Sequence, residues 1–268
     1  MEKYDIFIEA GQSNAEGSGH GPVTEEFSPD HRIQYLLPPV TAGLINNALV
    51  IEYSDTPLSI ETADERDWEV DGAIVRRGDL ALTFAQAYIR AGLLESDRKI
   101  LIIRAAVGGT CFKGHHWGIG ELLYNKMLEM ADYAVSLNPE NRIKGLLWHQ
   151  GESDACDRNT EDQYYLQFTA LIDSLKIRYH LPELPVICGD FSHEWSGKNE
   201  EICAPICRAL HRVARDMQGE FVETDGLVSN DSHAKNGDDI HFSRESLHIL
   251  GRRYFAAYER ILNGRNTK

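Results

Sequence analysis

The sequence predicts an α/β fold with a parallel sheet, and three observations lead to this prediction. Short apolar runs alternate along the chain with segments of helical periodicity, as they do when helices cover a parallel sheet. The 268 residues are enough for one large domain, and no linker or repeat divides residues 1–268. Polar, glycine-containing segments follow several of the apolar runs, where open α/β sheets build their sites. We therefore expect one domain with a site at the carboxyl edge of its sheet.

The strands are predicted from apolar runs of four to eight residues that end at turn residues. The first run, Tyr4–Ala10, breaks at Gly11 and presents Ser13 and Asn14 directly afterwards. The predicted strands are residues 4–10, 48–53, 99–105, 143–149, 185–190 and 220–223.

Helices are predicted where apolar residues recur every three or four positions. A capping box of Thr160 with Gln163 marks one helix start, and Ser243 is expected to cap the last helix. Pro205 is expected to kink or start its helix. The segments 14–47 and 54–76 are poorly periodic and are predicted as long loops, which are often functional in compact domains; for 54–76 a plain surface insertion is the alternative. The predicted helices cover residues 79–94, 120–137, 160–175, 199–217 and the segment after Ser243.

The charge of the chain excludes some classes of partner. A formal net charge of −15 disfavours nucleic acid and anionic membrane surfaces. It still permits an anionic substrate, because arginines in a cleft can reverse the local sign. No apolar stretch of 18 residues and no positively charged leader with an apolar core is present. We expect a cytoplasmic protein without a membrane span, with a secreted protein that has lost its leader as the alternative, and the sequence leaves the oligomeric state open.

Five cysteines at irregular spacing do not form a disulfide framework. Cys203 and Cys207 are four residues apart on a predicted helix, but no second pair lies near them. Cys111 with His115 and His116 is the other conceivable metal cluster. In both places buried or solvated side chains are the simpler interpretation, so we predict no metal site and no cofactor.

Ser13 is the candidate nucleophile because its hydroxyl follows a predicted strand. A serine hydroxyl needs a base, usually a histidine that a carboxylate orients. The segment Asp238-Asp239-Ile240-His241 supplies both groups. Asp238 can fold back through a turn to reach the His241 ring, with Asp239 as the second choice. A solvated acidic loop is the alternative that this segment alone does not exclude.

Two further segments supply groups that acyl transfer needs. Gly108 and Gly109 follow the predicted strand 99–105, and glycines there let backbone N–H groups point into a site, where they stabilise an oxyanion. Gln150 can add a side-chain amide to such an oxyanion hole. Glu152 can order the surrounding loops or replace Asp238 as the carboxylate that orients His241. For Gly108 and Gly109 the alternative is an ordinary turn. For Gln150 and Glu152 it is the start of a helix with exposed polar residues.

Together the motifs resemble those of the SGNH (GDSL-like) hydrolase superfamily, and within it carbohydrate esterase family six and the sialate O-acetylesterase-type domain. They span residues 11–243, and no GxSxG elbow of the usual α/β-hydrolase fold is present. The matching motifs are Gly11-Gln12-Ser13-Asn14, Ala106-Val107-Gly108-Gly109-Thr110, Trp148-His149-Gln150-Gly151-Glu152-Ser153-Asp154, and Asp238-x-x-His241 followed by Phe242-Ser243.

The resemblance implies a three-layer α/β/α sandwich of the SGNH hydrolase or flavodoxin-like type, with a mostly parallel sheet of about five strands. It implies serine-dependent, metal-free deacetylation of carbohydrates. Ser13 corresponds to the nucleophile, His241 to the base and Asp238 to the residue that orients it. The Ser13 N–H, a Gly108 or Gly109 N–H and the Gln150 amide correspond to the oxyanion hole. Glu152 stays open, because some family members are thought to use that glutamate as the acid.

The sequence says less about the substrate than about the reaction. We expect Gly108, Asn14 and Trp195 to contact it, with Trp117 as another aromatic able to stack on a sugar. A core or rim position is the alternative for both tryptophans. In the family a larger apolar residue commonly follows the serine motif, whereas this chain has Ala15-Glu16-Gly17 at that place. We expect the difference to alter the pocket beside Ser13 but not the chemistry. A sialate substrate would require a partner for its carboxylate, and the candidates are Arg76, Arg77 and Arg104. For each of these arginines a solvated or structural ion pair is the simpler interpretation.

The function predicted is hydrolysis of acetyl esters on sugars, of the acetylxylan or xylo-oligosaccharide type. A sialate O-acetylesterase or a broad short-chain esterase is the alternative within enzymes. The alternative from another class is a carbohydrate-binding protein on a hydrolase scaffold. That alternative is disfavoured because Ser13, His241 and a carboxylate are all present.

Overall fold

A computed structural model describes residues 2–38, 40–45, 48–53, 57–70 and 72–266. Strands and helices alternate along most of this part of the chain. The strands are β1 (Lys3–Gly11), β2 (Ile33–Leu37), β3 (Val40–Ile45), β4 (Ala48–Tyr53), β5 (Ser59–Thr62), β6 (Arg66–Val70), β7 (Ala73–Arg77), β8 (Arg98–Arg104), β9 (Arg142–His149), β10 (Val186–Gly189) and β11 (Glu220–Val222). The helices are α1 (Ser13–Glu16), α2 (Leu80–Arg90), α3 (Leu122–Ser136), α4 (Glu152–Cys156), α5 (Glu161–Arg178), α6 (His193–Ser196), α7 (Glu200–Asp216), α8 (Asp231–Ala234) and α9 (Arg244–Asn266).

The central sheet has the strand order β11-β10-β9-β1-β8-β2-β5. Neighbouring strands run parallel except β5, which runs antiparallel to β2. Helices α3, α5 and α7 cover one face, and α2 and α9 cover the other. On β1, Ile6 and Ile8 pack into the first layer while Phe7 packs into the second, because successive side chains point to opposite faces. The predicted three-layer α/β/α class is confirmed.

The sheet has seven strands rather than about five, because both segments predicted as loops contain strands. Strand β2 lies within residues 14–47 and β5 within residues 54–76. Strand β2 holds only five residues between turn-rich flanks, so its periodicity is too short to stand out. The predicted strand 48–53 is present as β4, but it pairs with β3 in a hairpin outside the central sheet.

A second hairpin, β6–β7, accounts for most of the other predicted loop. Val70 pairs with Ala73, and the Asp71-Gly72 sequence between them is of the type that favours two-residue hairpin turns. The hairpin returns to the fold at its base, where the Gly78 N–H donates to the Gly19 carbonyl at 2.8 Å. Both hairpins thus belong to regions that precede α2 in the chain.

The five predicted helices are present as α2, α3, α5, α7 and α9, whereas the short helices α1, α4, α6 and α8 were not predicted. The Thr160 hydroxyl accepts a hydrogen bond from the Gln163 N–H at 3.2 Å, which confirms the N-cap of α5. Ser243 Oγ accepts from the Ser246 N–H at 3.2 Å at the start of α9. Pro205 lies inside α7 without ending it. No helix in the described ranges has the length and apolar character that crossing a membrane requires.

The carboxyl ends of the central strands bring distant segments together. Ser13 follows β1, Gly108 follows β8 and Gln150 follows β9. Gly11 allows the close approach of β1 and β9, because a Cβ there would lie 2.1 Å from the His149 carbonyl oxygen, and its φ is +136°. The predicted site residues therefore converge at this edge.

Candidate active site

Ser13, His241 and Asp238 form one hydrogen-bonded line. Ser13 is the first residue of α1, and its Oγ lies 2.9 Å from His241 Nε2. The other ring nitrogen, Nδ1, lies 2.8 Å from Asp238 Oδ1. The imidazole thus bridges the hydroxyl and the carboxylate, as it does in serine hydrolases.

Asp238 is held by groups besides His241. The His241 N–H also donates to Asp238 Oδ1 at 3.3 Å, and the Asn230 amide donates to Oδ2 at 2.9 Å. Burial alone raises the pKa of Asp238, but the hydrogen bonds and the charge of His241 outweigh it, and the net pKa is lowered. The carboxylate is therefore kept ionised beside the imidazole. Asn230 is a site residue that no motif in the sequence indicated.

Asn14 holds the backbone on both sides of His241. Its amide donates to the Ile240 carbonyl at 3.2 Å, and its Oδ1 accepts from the Phe242 N–H at 3.0 Å. The side chain is fully buried and uses its remaining donor on Glu152. This placement is against the predicted contact between Asn14 and the substrate, because all of its polar atoms are already paired inside the fold.

Glu152 lies beneath Asn14 and does not contact the His241 ring. Its Oε1 accepts from Asn14 Nδ2 at 2.8 Å and lies 3.9 Å from His149 Nε2. The carboxylate is fully buried, and Oε2 has no partner among the described residues. Of the three carboxylates considered from the sequence, the structure brings Asp238 against His241, whereas Asp239 Oδ2 accepts from Lys198 Nζ at 2.7 Å.

Gly108 and Gly109 differ in whether their N–H groups are free. The Gly108 N–H donates to Glu16 Oε2 at 2.7 Å, so a side chain from the serine motif already occupies it. Gly109 is exposed at φ +73°, and its N–H has no hydrogen-bond partner within the described ranges. The Ser13 N–H is likewise unpaired there. Ser13 and Gly109 thus each keep a free backbone N–H beside the serine and its glycine turn.

Gln150 points into the protein rather than into the site. Its Nε2 donates to Asp154 Oδ2 at 2.8 Å and lies 3.2 Å from both the Thr110 carbonyl and Gln12 Oε1. The residue is fully buried. The predicted oxyanion role is therefore not the one this geometry favours, since the amide's two N–H groups are spent on internal acceptors. Asp154 also accepts from the Phe112 and Lys113 N–H groups; it lies in the matched motif, but the sequence assigned it no role.

Neither of the two tryptophans that were expected to stack on a sugar is placed to do so. Trp195 is only 8% exposed and packs edge-on against Phe191, with ring centroids 5.8 Å apart. Trp117 is fully buried, and its Nε1 donates to Thr110 Oγ1 at 2.9 Å. Both rings belong to the core, so neither can stack on a sugar. By contrast, the indole of Trp68 on β6 is 48% exposed to solvent.

The metal candidates do not form a cluster. Cys111 Sγ lies 3.9 Å from His116 Nδ1, while His115 points outward to Glu121. Burial raises the pKa of Cys111 to about 12, which disfavours the thiolate that metals need. Among the described residues no group of three or more ligating side chains could hold a metal ion.

A serine, an imidazole and a carboxylate in line at the carboxyl edge of a three-layer α/β/α sandwich are the groups that serine hydrolases use. Comparison with known proteins then gives the family. Residues 3–260 match the family model described as "carbohydrate esterase, sialic acid-specific acetylesterase". The chain therefore belongs to this family of carbohydrate acetylesterases.

Individual relatives agree with this assignment. The chain is 30% identical to a probable carbohydrate esterase of Arabidopsis thaliana over 183 residues, which are 68% of this chain and 66% of that protein. The crystal structure of NanS superposes with a TM-score of 0.75 at 19% identity, over 100% of this chain and 99% of the other. A carbohydrate acetylesterase from Xanthomonas citri gives 0.61 at 18% identity, over 97% of this chain and 56% of the other. NanS and the Xanthomonas citri esterase thus have the same fold as this chain.

Proposed function

We propose that this protein is a serine O-acetylesterase that removes acetyl groups from sugars through an acetyl-enzyme. The observation that carries the proposal is the position of the His241 ring, with Nε2 2.9 Å from Ser13 Oγ and Nδ1 2.8 Å from Asp238 Oδ1. A base must lie within hydrogen-bond reach of the proton that it takes, and this imidazole does.

In the first half-reaction Ser13 Oγ attacks the acetyl carbonyl carbon while His241 Nε2 takes the hydroxyl proton. Asp238 orients the ring and stabilises the imidazolium that forms. The N–H groups of Ser13 and Gly109 stabilise the developing oxyanion, since neither has a hydrogen-bond partner among the described residues. The C–O bond to the sugar then breaks, and His241 returns the proton to the sugar oxygen.

In the second half-reaction a water molecule replaces the sugar. His241 takes a proton from the water, whose oxygen attacks the acetyl carbon bound to Ser13. Collapse of the intermediate releases acetic acid and returns the proton to Ser13 Oγ. Each half-reaction uses the same base and the same oxyanion donors, so one set of residues serves both.

For the sugar, two classes are compatible with this site. The motifs favour acetylated xylo-oligosaccharides, which are neutral at the acetylated residue. The description of the matching family favours sialates, which carry a carboxylate. The two classes differ in charge next to the ester, so the charged groups beside Ser13 decide between them.

The test is acetate release from a panel of acetylated xylo-oligosaccharides, pectins and sialosides, with p-nitrophenyl acetate as a sugar-free substrate. Ser13→Ala should lower kcat by about 10³-fold or more without unfolding the protein. Ser136→Ala, at an exposed position on α3, is the matched control. Mass spectrometry of quenched protein should find one added acetyl group on the peptide that contains Ser13. No turnover of any ester would favour the carbohydrate-binding alternative.

A further inference from the structure

Glu16 places a carboxylate beside the candidate nucleophile. It is the last residue of α1, three positions after Ser13, so the two residues are neighbours on one turn of helix. The segment around Glu16 departs from the family pattern, and the proposed reaction gives this side chain no role. Its partly exposed carboxylate is therefore a charged group at the site whose purpose is open.

The Glu16 carboxylate binds the backbone of the glycine turn. Its Oε2 accepts from the Gly108 N–H at 2.7 Å. A Cβ on Gly108 would lie 3.1 Å from Glu16 Oε2 and 3.5 Å from Ser13 Cβ, so the turn packs against both residues. Among the described residues, this contact is the one hydrogen bond to the backbone of Gly108 and Gly109. Glu16 thus connects the helix of the nucleophile to the turn that supplies an oxyanion donor.

The two residues that flank the glycines are held by contacts of their own. Thr110 Oγ1 donates to the Val107 carbonyl at 2.7 Å, and both residues are buried. Between these fixed ends stand two glycines, which have more backbone freedom than any other residue. The direction of the Gly109 N–H therefore depends on what holds Gly108, and in this structure that is Glu16.

The backbone of Glu16 is itself fixed on both sides. Its N–H donates to the Gln12 carbonyl at 2.8 Å, and its carbonyl accepts from Arg66 Nη2 at 3.1 Å. The next residue, Gly17, has φ +87°, and a Cβ there would lie 2.7 Å from the Gly78 carbonyl oxygen. Because the backbone is constrained in this way, the carboxylate is a rigid support for the glycine turn.

The negative charge of Glu16 is offset by the β6–β7 hairpin. An anion beside a developing oxyanion opposes the reaction, because like charges repel. Arg66 Nη2 lies 3.9 Å from Glu16 Oε1, and no other described cation lies within 4.0 Å of this carboxylate. Arg76 and Arg104, which the sequence offered as carboxylate partners, pair with other acidic residues. Arg66 therefore reduces the effect of the charge and leaves the acceptor in place.

We infer that Glu16 is a positioning residue of the oxyanion hole, which holds the Gly108 N–H so that the neighbouring Gly109 N–H points to the place where the oxyanion forms. The inference rests on the proposed function, because it concerns the same acyl transfer. Donors stabilise an oxyanion best when their direction is fixed before the reaction begins. Glu16 acts through the backbone, so its ability to accept a hydrogen bond matters more than its charge.

The first measurement is kcat for p-nitrophenyl acetate in variants that separate the acceptor from the charge. Glu16→Gln keeps an acceptor and removes the charge, whereas Glu16→Met fills a similar space without an acceptor. Glu16→Met should lower kcat by about 10- to 100-fold with little change in KM, because a misdirected donor loses part of the 10²–10³-fold that removing a donor costs. Glu16→Gln should stay close to the wild type. Glu201→Met, at an exposed glutamate on α7, is the matched control and should leave kcat unchanged.

The second measurement uses the thionoester of p-nitrophenyl acetate, in which sulfur replaces the carbonyl oxygen. Sulfur is larger and accepts hydrogen bonds more weakly, so a well-formed oxyanion hole favours the oxygen ester. The ratio of kcat/KM for the oxygen ester to that for the thionoester should fall in Glu16→Met and keep its wild-type value in Glu16→Gln. A merely structural loss, or a weaker nucleophile, lowers both rates equally and leaves this ratio unchanged.

Three results would overturn the inference. A kcat in Glu16→Met equal to or above that of the wild type would mean that the carboxylate merely masks the Gly108 N–H. Equal losses in Glu16→Met and Glu16→Gln would assign the effect to the charge, and a loss with an unchanged ratio would assign it to the general structure. Circular dichroism checks folding, and Glu16→Ala replaces Glu16→Met in both comparisons if the latter does not fold. If the wild type turns over no ester, the proposed function fails instead.

Discussion

The side-chain amide of Asn14 donates a 2.8 Å hydrogen bond to the carboxylate of Glu152, and the two residues are 138 positions apart. Asn14 also holds the Ile240 carbonyl and the Phe242 N–H. A buried carboxylate thus orients an amide, and that amide fixes the segment that carries His241. Asn14 and Glu152 act through His241 and are positioning residues.

This arrangement predicts a loss of turnover when the Asn14 side chain is removed. Asn14→Ala frees the His241 segment, and a displacement of about 1 Å costs on the order of 10²-fold in rate. We expect kcat to fall by that amount while KM for p-nitrophenyl acetate changes little. Asn14→Asp should be at least as severe, since it places a second carboxylate beside Glu152. Wild-type kcat in both folded variants would contradict the positioning role.

Asp238 and Glu152 should differ in their effect on catalysis. Asp238→Ala removes the partner of His241 Nδ1 and should lower kcat more than Glu152→Ala does. Asp238→Asn should also be severe, because an amide can favour the wrong imidazole tautomer. Glu152→Gln keeps an acceptor for Asn14 and should recover much of the activity lost in Glu152→Ala. Circular dichroism checks that each variant is folded. Near-wild-type activity in Asp238→Ala, together with loss in Glu152→Ala, would reverse the assignment.

Gln150 should contribute to stability more than to oxyanion binding. Gln150→Ala removes one of the donors to Asp154 and leaves the Thr110 carbonyl without the amide that bonds it, and leaving a buried polar group unpaired costs about 1–3 kcal/mol. We expect chemical denaturation to show a loss in that range. An oxyanion donor would instead cost about 10²–10³-fold in kcat with the stability unchanged. The latter pattern would restore the role predicted from the sequence.

Glu9 should make the protein less stable as the pH rises. Burial, then the charge of Asp79, raises its pKa well above the ordinary value, against the opposing charges of Arg104 and Arg66. Both carboxylate oxygens are buried without a hydrogen-bond partner among the described residues, and Arg104 Nε lies 4.0 Å from Oε2. The native state therefore binds this proton more tightly than the unfolded state does, and stability falls as the pH rises from the unfolded pKa through the native one.

Glu9→Gln cannot titrate, so the difference in Tm between this variant and the wild type should grow in its favour between pH 5 and pH 8. We expect a gain of about 2–4 °C, which corresponds to about 1 kcal/mol in a chain of this size class. Glu201→Gln, at an exposed glutamate, is the control and should show no such trend. A constant difference across the pH range would show that Glu9 has the same pKa in both states.

Chelation should leave the esterase active. The proposed reaction uses a serine, an imidazole and backbone donors, and none of these needs a metal ion. Activity on p-nitrophenyl acetate is expected to be equal before and after dialysis against EDTA. Loss of activity that zinc restores would require a different mechanism.

The sequence by itself determined the fold class, the five long helices and the line from Ser13 to Asp238. Apolar periodicity predicts strands and helices because burial of one face drives both. Parallel strands then bring their carboxyl ends to one edge, so motifs that are far apart in the chain were expected to meet. The offset of three residues between Asp238 and His241 is local, and a turn brings these two side chains together. The family match confirms the esterase class that these motifs indicated.

Only the tertiary structure decided which polar and aromatic side chains face the pocket. Gln150, Asn14 and Trp195 all follow strands or short helices at the right edge, yet packing turns each of them inward. Arg76 and Arg77 are neighbours in sequence, but the strand places them on opposite faces, one paired with carboxylates and one with free donors. The directions of Asn14 and Gln150 depend on contacts with residues more than a hundred positions away, such as Glu152 for Asn14 and Gln12 for Gln150, and no local pattern in the sequence contains those contacts.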